Sequence, residues 1–248
     1  MATFLLIHGS WHGGWCWDKI APLLRAAGHT VLTPDLPGHG DDWPTTLLRQ
    51  HEHYVPFICN LLDAQHKPVI LVGHSSGGML ISAAAEKRPE MIAALVYLAA
   101  FLLPAGVAPP AVMRDDHESI LAASLDFDTA RGISTVRPAC ARAVFYADCA
   151  EAEAIWATSR LVPEPIIPPD TGMPATAQES ASAVLPRVYI ETHDDKALGL
   201  TTQRKMHAAM PCERIFSLAT SHSPFLSAPM KLTANLSEVA AVYGQPKG

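Results

Sequence analysis

The sequence lacks the patterns that bind metals, dinucleotides or disulfide frameworks. Its five cysteines are odd in number and scattered, and no two of them form a C-x-x-C pair. A zinc site or a disulfide framework is therefore not expected, and reduced thiols are. There is no H-E-x-x-H, and no G-x-G-x-x-G follows the first apolar run. We therefore expect no metal and no cofactor.

Basic charge and long apolar runs are also scarce. Lys and Arg total 18 against 24 Asp and Glu, and no basic stripe is present, so nucleic acid is not an expected partner. No stretch approaches the ~18 apolar residues of a membrane span, and the N-terminus lacks the basic region of a signal peptide. We expect a cytoplasmic protein that acts on a small molecule away from membranes. These patterns leave a homodimer open.

The sequence does contain a regular alternation of apolar runs and helical patterns. Hydrophobic residues make up 49% and charged residues 17%, as in an ordinary globular protein. Continuously apolar runs at 4–7, 69–72 and 92–98 are typical of buried parallel strands, and helical patterns lie between them. The rhythm resumes at 187–192 and 214–218. It predicts an α/β fold with a mainly parallel sheet covered by helices on both faces.

One long segment interrupts this rhythm. Residues 103–185 are rich in proline and show only short helical patterns, the best of them at 150–161. The segment looks like an excursion from the core because the strand and helix alternation resumes after it. We therefore predict a core formed by residues 1–102 and 186–248, with residues 103–185 inserted as a cap.

Ser75 lies where an apolar run meets a helical pattern, in the pentapeptide Gly73-His74-Ser75-Ser76-Gly77. A serine at the tip of such a sharp turn needs glycine on both sides, because side chains there would collide with the strand and the helix. The G-x-S-x-G pattern in this context predicts a nucleophilic serine. An incidental serine in a glycine-rich turn is the alternative.

A serine nucleophile needs a base and an acid that orients the base. In a parallel sheet these groups lie at the carboxyl ends of strands. Among twelve histidines, His222 alone comes just after the final predicted strand. The loop after the strand ending near Thr192 offers both Asp194 and Asp195 as the acid.

The same chemistry requires donors for the oxyanion that forms during attack. The backbone N–H of Ser76 would point at it from the start of the following helix. A second N–H would come from the loop after the first strand, where Ser10 is the candidate and Gly9 lets the loop turn back over the site.

Five motifs together resemble the α/β-hydrolase superfamily, and more narrowly its branch of plant methylesterases, hydroxynitrile lyases and small bacterial esterases. They are HGSWHGGW at 8–15, DLPGHG at 35–40, GHSSGG at 73–78, YIETHDD at 189–195 and SH at 221–222. The resemblance implies a six-stranded sheet and a Ser, Asp, His order along the chain. It also places the acid six residues beyond Tyr189, which selects Asp195, and it implies that the excursion is the cap.

Two positions separate the activities of this branch. Its cyanohydrin-cleaving members carry threonine where this chain has Gly9 and lysine where it has Ser223. The resemblance therefore implies a serine esterase that cleaves a small, largely apolar or aromatic carboxylic ester through an acyl-enzyme. There are two alternative enzyme activities: amide or carbamate hydrolysis by the same triad, and hydroxynitrile lysis. The non-enzyme alternative is a small-molecule-binding protein that has the hydrolase fold without its activity.

The candidate substrate-binding residues are mostly aromatic or aliphatic and come from the loops and the excursion. They are Gly9, Trp11, Phe101, Phe145, Tyr146, Trp156 and Leu161. Packing in the core is an equally good interpretation of the large side chains among them.

Overall fold

The computed structural model describes residues 1–40, 51–104, 106–166 and 184–244. Its main sheet has six strands in the spatial order β2-β1-β3-β4-β8-β9, and every pairing in it is parallel. These strands are β1 (Thr3–Ile7), β2 (Thr30–Leu32), β3 (Val69–His74), β4 (Ile92–Leu98), β8 (Arg187–Thr192) and β9 (Arg214–Leu218). The predicted α/β fold with a mainly parallel six-stranded sheet is confirmed.

Helices cover both faces of this sheet. They are α1 (Ile20–Ala26), α2 (His51–Asp63), α3 (Gly77–Lys87), α7 (Leu200–Ala209), α8 (Pro224–Ser227) and α9 (Pro229–Tyr243), with short 3-10 helices at Gly14–Trp17 and Pro89–Met91. Successive residues of β1 point to opposite faces, so Leu6 packs with the side of α1 and α9 while Ile7 packs with the side of α2 and α3. Burial on both faces explains why the central strands are apolar without alternation.

Most element boundaries agree with the sequence prediction, and the last helix differs. The patterns at 77–87, 92–98, 187–192 and 214–218 form elements with those bounds. The sequence predicts a last helix from about Ser227 to Tyr243; this helix is α9, which begins two residues later, and the short α8 before it is an additional element. Pro229 has no N–H and disfavours helical geometry in the residue before it, so α9 begins there.

The segment after β4 contains short helices and a second, small sheet. The helices are α4 (Pro109–Arg114), α5 (Pro138–Phe145) and α6 (Glu151–Ser159), with a 3-10 helix at Ala122–Ser124. Strands β5 (Leu125–Asp128), β6 (Ile133–Val136) and β7 (Glu164–Pro165) form an antiparallel sheet that the sequence prediction missed. The predicted boundaries of the cap stay a prediction, and part of that span, 167–183, lies outside the described residues. Within the described chain, no helix is long and apolar enough to cross a membrane.

The end of β3 packs against the start of α3 at backbone-to-backbone distance. A Cβ atom added at Gly73 would lie 2.6 Å from the Gly77 carbonyl oxygen, and one added at Gly77 would lie 2.9 Å from the His8 carbonyl oxygen. Real Cβ atoms essentially never approach so closely. Gly73 is therefore required where β3 meets α3, and Gly77 where α3 meets the end of β1.

Substituting Gly73→Ala is expected to destabilise the fold. The clash is with backbone, which has no alternative rotamer, so the cost should be at least that of typical overpacking, about 1–3 kcal/mol. This corresponds to a fall in Tm of roughly 3–10 °C, measured by thermal unfolding. Gly28→Ala is the control, because a Cβ there meets no atom within 4 Å and adds only the strain of a φ of +86°. Equal Tm values for wild type and Gly73→Ala would contradict the packing argument.

Candidate active site

Ser75 lies at the tip of the turn between β3 and α3, in a backbone conformation that L-residues rarely adopt. Its φ is +53°. The Ser75 N–H donates to the Leu98 carbonyl at 3.2 Å, and its own carbonyl accepts from the Phe101 N–H at 3.0 Å. Non-glycine residues with positive φ are uncommon and cluster at functional sites. The turn therefore presents the half-buried Ser75 side chain at the carboxyl edge of the sheet.

A buried carboxylate and imidazole follow two other strands of the same sheet. Asp195 follows β8, His222 follows β9, and His222 Nδ1 lies 2.7 Å from Asp195 Oδ2. Thr192 Oγ1 also donates to Oδ2, while the Ala197 and Leu198 N–H groups donate to Oδ1 at 2.8 and 2.9 Å. These donors fix the plane of the carboxylate. The neighbouring Asp194 is exposed.

His74 joins the loop of His222 to the turn of Ser75. The His74 Nε2–H donates to the His222 carbonyl at 2.9 Å, and the two rings lie 4.5 Å apart between centroids. Burial lowers the pKa of His74 well below its ordinary value, so the ring is neutral. Because His74 directly precedes Ser75, this contact holds the loop of His222 against the turn that carries Ser75.

The loop after β1 also lies against the turn that carries Ser75. The Ser10 N–H donates to Ser76 Oγ at 2.7 Å, and Ser10 Oγ lies 2.9 Å from the same oxygen. A Cβ added at Gly9 would lie 2.8 Å from the Ser75 Cβ, so glycine lets this loop approach the serine. The two expected oxyanion donors thus belong to residues in direct contact.

Two buried histidines hold the loop after β1 in place. His12 Nδ1 lies 2.8 Å from the Ser10 carbonyl oxygen and Nε2 lies 2.8 Å from the Tyr146 hydroxyl. Because a carbonyl only accepts, Nδ1 carries the proton and Tyr146 donates to Nε2. His8 similarly donates to the Gly9 carbonyl and accepts from the Leu36 N–H. Burial lowers the pKa of His12 to about 4 and that of His8 to about 3, so both are neutral near pH 7.

The candidate substrate-binding residues lie in different parts of the structure, and Phe145 packs directly against His222. Phe145 lies between His222 and Trp11, with ring centroids 5.7 and 6.1 Å away. Tyr146 is fully buried on His12.

The remaining candidates, Phe101, Leu161 and Trp156, pack against other parts of the structure. Phe101 packs in the hydrophobic cluster on the α2 and α3 side of the sheet, and Leu161 lies at the margin of the other cluster. Trp156 is 38% exposed and packs edge-on against Trp15. No group of three metal-ligating side chains is close enough to hold a metal ion in the described parts of the chain.

Sequence reasoning missed three residues that touch this site through long-range hydrogen bonds. His74, His12 and Glu164 are not among the candidate catalytic or binding residues, although His12 and His74 lie within two of the motifs. Glu164 is buried, and its carboxylate contacts the loop after β1. A lone acid in the otherwise apolar stretch from Leu161 to Ile166 was the available indication.

Comparisons with known proteins agree with this geometry. The model of the alpha/beta hydrolase family matches residues 4–236. The pyrethroid hydrolase of Sphingobium wenxiniae is 32% identical and covers 99% of this chain and 91% of its own. The carbendazim hydrolyzing esterase of a Nocardioides species is 31% identical, covering 95% and 98%. The crystal structure of a methylesterase from Arabidopsis superposes with a TM-score of 0.84 at 26% identity, covering 98% and 100%.

The chain belongs to the alpha/beta hydrolase family. Within that family it is a carboxylic ester hydrolase, since relatives along nearly its whole length are esterases.

Substituting Asp195→Asn is expected to lower kcat by roughly 1,000- to 10,000-fold, because an amide favours the wrong imidazole tautomer. Asp194→Asn is the matched control, since this neighbouring carboxylate is exposed. Its kcat should stay within about twofold of wild type. Steady-state hydrolysis of a chromogenic ester by both variants checks this. Loss of activity in Asp194→Asn alone would reverse the assignment of the acid.

The neutral buried histidines predict loss of stability in acid. His8 and His12 have folded pKa values of about 3 and 4, below the ordinary value of 6.5, so the unfolded chain binds protons first as pH falls. Their contribution to the free energy of unfolding is present above pH 6.5 and decreases between about pH 6 and pH 4, by about 1.4 kcal/mol per pH unit for each residue.

Urea unfolding at several pH values from 7.5 to 5 measures this slope. His12→Gln should make it shallower by about one proton, and exposed His117→Gln should leave it unchanged. A free energy of unfolding that is flat down to pH 5 in wild type would contradict the burial of neutral imidazoles.

Proposed function

We propose that Ser75, His222 and Asp195 form the catalytic triad of this esterase. The observation that carries the proposal is the buried hydrogen bond between Asp195 and His222. A hydrogen bond from His74 joins the loop of His222 to the turn of Ser75, a serine held at positive φ. The carboxylate accepts from Nδ1, which leaves Nε2 of His222 unprotonated and able to act as a base. The chain order Ser, Asp, His is the one found in α/β hydrolases.

The reaction proceeds through an acyl-enzyme. Ser75 Oγ attacks the ester carbonyl while His222 Nε2 takes its proton, and the tetrahedral oxyanion accepts hydrogen bonds from the N–H groups of Ser10 and Ser76. Collapse breaks the bond to the alcohol, which leaves with the proton from His222. A water molecule then attacks the acyl group with His222 again as base, and this step releases the acid and restores Ser75.

In the structure the Ser10 N–H donates a hydrogen bond to the Ser76 hydroxyl oxygen. This supports the assignment of Ser10 because the donor already faces the oxygen of a residue next to the nucleophile. In the mechanism the substrate oxygen replaces Ser76 Oγ as the acceptor of this hydrogen bond. The exchange costs little, since one hydrogen bond replaces another.

The surroundings of the triad favour a small, largely apolar or aromatic ester. Phe145 packs against His222. A pocket beside Ser10 and Ser76 is lined mostly by apolar residues and also by one acid; these residues are Leu36, Tyr54, Met79, Leu80 and Glu164. Relatives are named for pyrethroid hydrolysis and as methylesterases, and we propose that this chain takes esters of comparable apolar character.

Two residues argue against cyanide release as the main activity. Gly9 leaves no room for a side chain beside Ser75. Ser223, which follows the proposed base, is fully buried. Because a serine side chain carries no charge, this position supplies no cation. Cytoplasmic location and a homodimer stay predictions from the sequence.

Substituting Ser75→Ala should reduce turnover of a chromogenic short-chain ester to background, a loss on the order of 1,000-fold or more. Wild type should also gain the mass of one phosphonyl group with a fluorophosphonate, and Ser75→Ala should not. Ser237→Ala, on the partly buried surface of α9, is the control for loss of an unrelated hydroxyl. Turnover retained by Ser75→Ala would remove Ser75 from the mechanism.

A further inference from the structure

Glu164 is a buried acid in the cap region that contacts the core at two points. It lies in β7, and its Oε2 accepts the Trp11 N–H at 2.9 Å and lies 2.8 Å from His39 Nε2. The residue is only 4% exposed. A carboxylate is costly to bury unless it is hydrogen-bonded or paired, so its placement here needs these contacts.

Trp11, the residue held by Glu164, is itself strained. Its φ is +62°, a backbone conformation that is strained for a bulky L-residue. Its carbonyl accepts the Val162 N–H at 2.9 Å and its indole Nε1–H donates to the Ser134 carbonyl at 3.2 Å. Glu164, Val162 and Ser134 all come from the segment after β4. Contacts from this segment therefore maintain the strained turn.

The peptide group between Ser10 and Trp11 is held at both ends. Its N–H donates to Glu164, and its carbonyl oxygen accepts from His12 Nδ1. His12 is in turn held by the Tyr146 hydroxyl. Two hydrogen bonds on opposite edges fix the rotation of a peptide plane. The N–H of Ser10 belongs to the preceding peptide group, which joins this one at the Ser10 Cα. Holding this peptide plane therefore restricts the orientation of that N–H.

We propose that Glu164 is a positioning residue that aims the Ser10 N–H into the oxyanion hole. The proposal rests on the proposed function, in which that N–H stabilises the tetrahedral intermediate. Glu164 acts through Trp11 and touches no reacting atom. An ionised carboxylate suits this role because its hydrogen bonds are about twice as strong as those of a neutral acceptor.

Pairing with His39 explains how a carboxylate is tolerated close to a developing oxyanion. An imidazole N–H directed at Oε2 from 2.8 Å offsets the negative potential that the carboxylate would otherwise impose on the site. The backbone N–H of Trp11 withdraws charge from the same oxygen.

Two substitutions of Glu164 test the proposal. Glu164→Leu removes the acceptor and should lower kcat by about 10- to 100-fold with KM within about twofold, because misaligning one oxyanion donor costs less than the 100- to 1,000-fold of losing it. Glu164→Gln keeps a neutral acceptor and should lower kcat by about 3- to 10-fold. The affinity for a trifluoromethyl ketone, which binds as a tetrahedral adduct, should fall by the same factor as kcat/KM in each variant.

Glu153→Gln is the matched control. Glu153 also joins the segment after β4 to the core, through Lys19, at a partly exposed position away from the loop of Ser10. Its kcat, KM and inhibitor affinity should equal those of wild type. Tm is measured for every variant, and the comparison is made below the lowest Tm.

Several outcomes would overturn the proposal. Glu164 also lines the pocket beside Ser10, so a rise in KM at unchanged kcat would mean that it acts on substrate binding alone. Unchanged inhibitor affinity would show that the oxyanion hole is intact. If Glu164→Leu fails to fold, Glu164→Gln decides alone, and kcat and inhibitor affinity within twofold of wild type would refute the role. Failure of the proposed function is seen separately, as turnover retained by Ser75→Ala.

Discussion

The close packing of β3 on α3 is the constraint on which the site depends. Gly73 lets β3 and α3 meet backbone to backbone, and Gly77 lets α3 lie against the end of β1. The turn between β3 and α3 passes through a residue with left-handed geometry. Ser75 is that residue. Its neighbours Leu98 and Phe101 hold it through main-chain hydrogen bonds, so the position of its side chain follows from the sheet itself.

The other members of the proposed triad reach Ser75 because parallel strands end at the same edge. Asp195 and His222 follow adjacent strands, and their loops bring an acid and an imidazole from 27 residues apart to 2.7 Å. The cost of burying these polar groups is offset by a dense set of donors around Asp195. Three more buried histidines serve as neutral connectors: His8 and His12 bond different loops through their two nitrogens, and His74 bonds the loop of His222 through Nε2.

The sequence was informative where structure follows from local pattern. Central strands buried on both faces are continuously apolar, so β4 could be predicted with its bounds and β3 with its start, and the turn at Ser75 with them; β3 extends two residues further, to His74. The small sheet was missed because β5 carries two aspartates and β7 has only two residues, one of them a proline. The contact of Glu164 with Trp11 joins residues 153 positions apart, and no periodicity in the sequence indicates such a pair.

Two parts of the structure therefore hold the site in place: the main sheet and the segment after β4. The proposed nucleophile, base and acid all stand on loops of the main sheet, whereas the loop of Ser10 is shared between the sheet and the segment after β4. Tyr146, Glu164 and Val162 are hydrogen-bonded to that loop, so under the proposed mechanism the segment that contributes Glu164 to the pocket also sets the geometry of the proposed oxyanion donor. A change in this segment that reshapes the pocket consequently also shifts the donor, which couples the range of substrates to the rate of reaction.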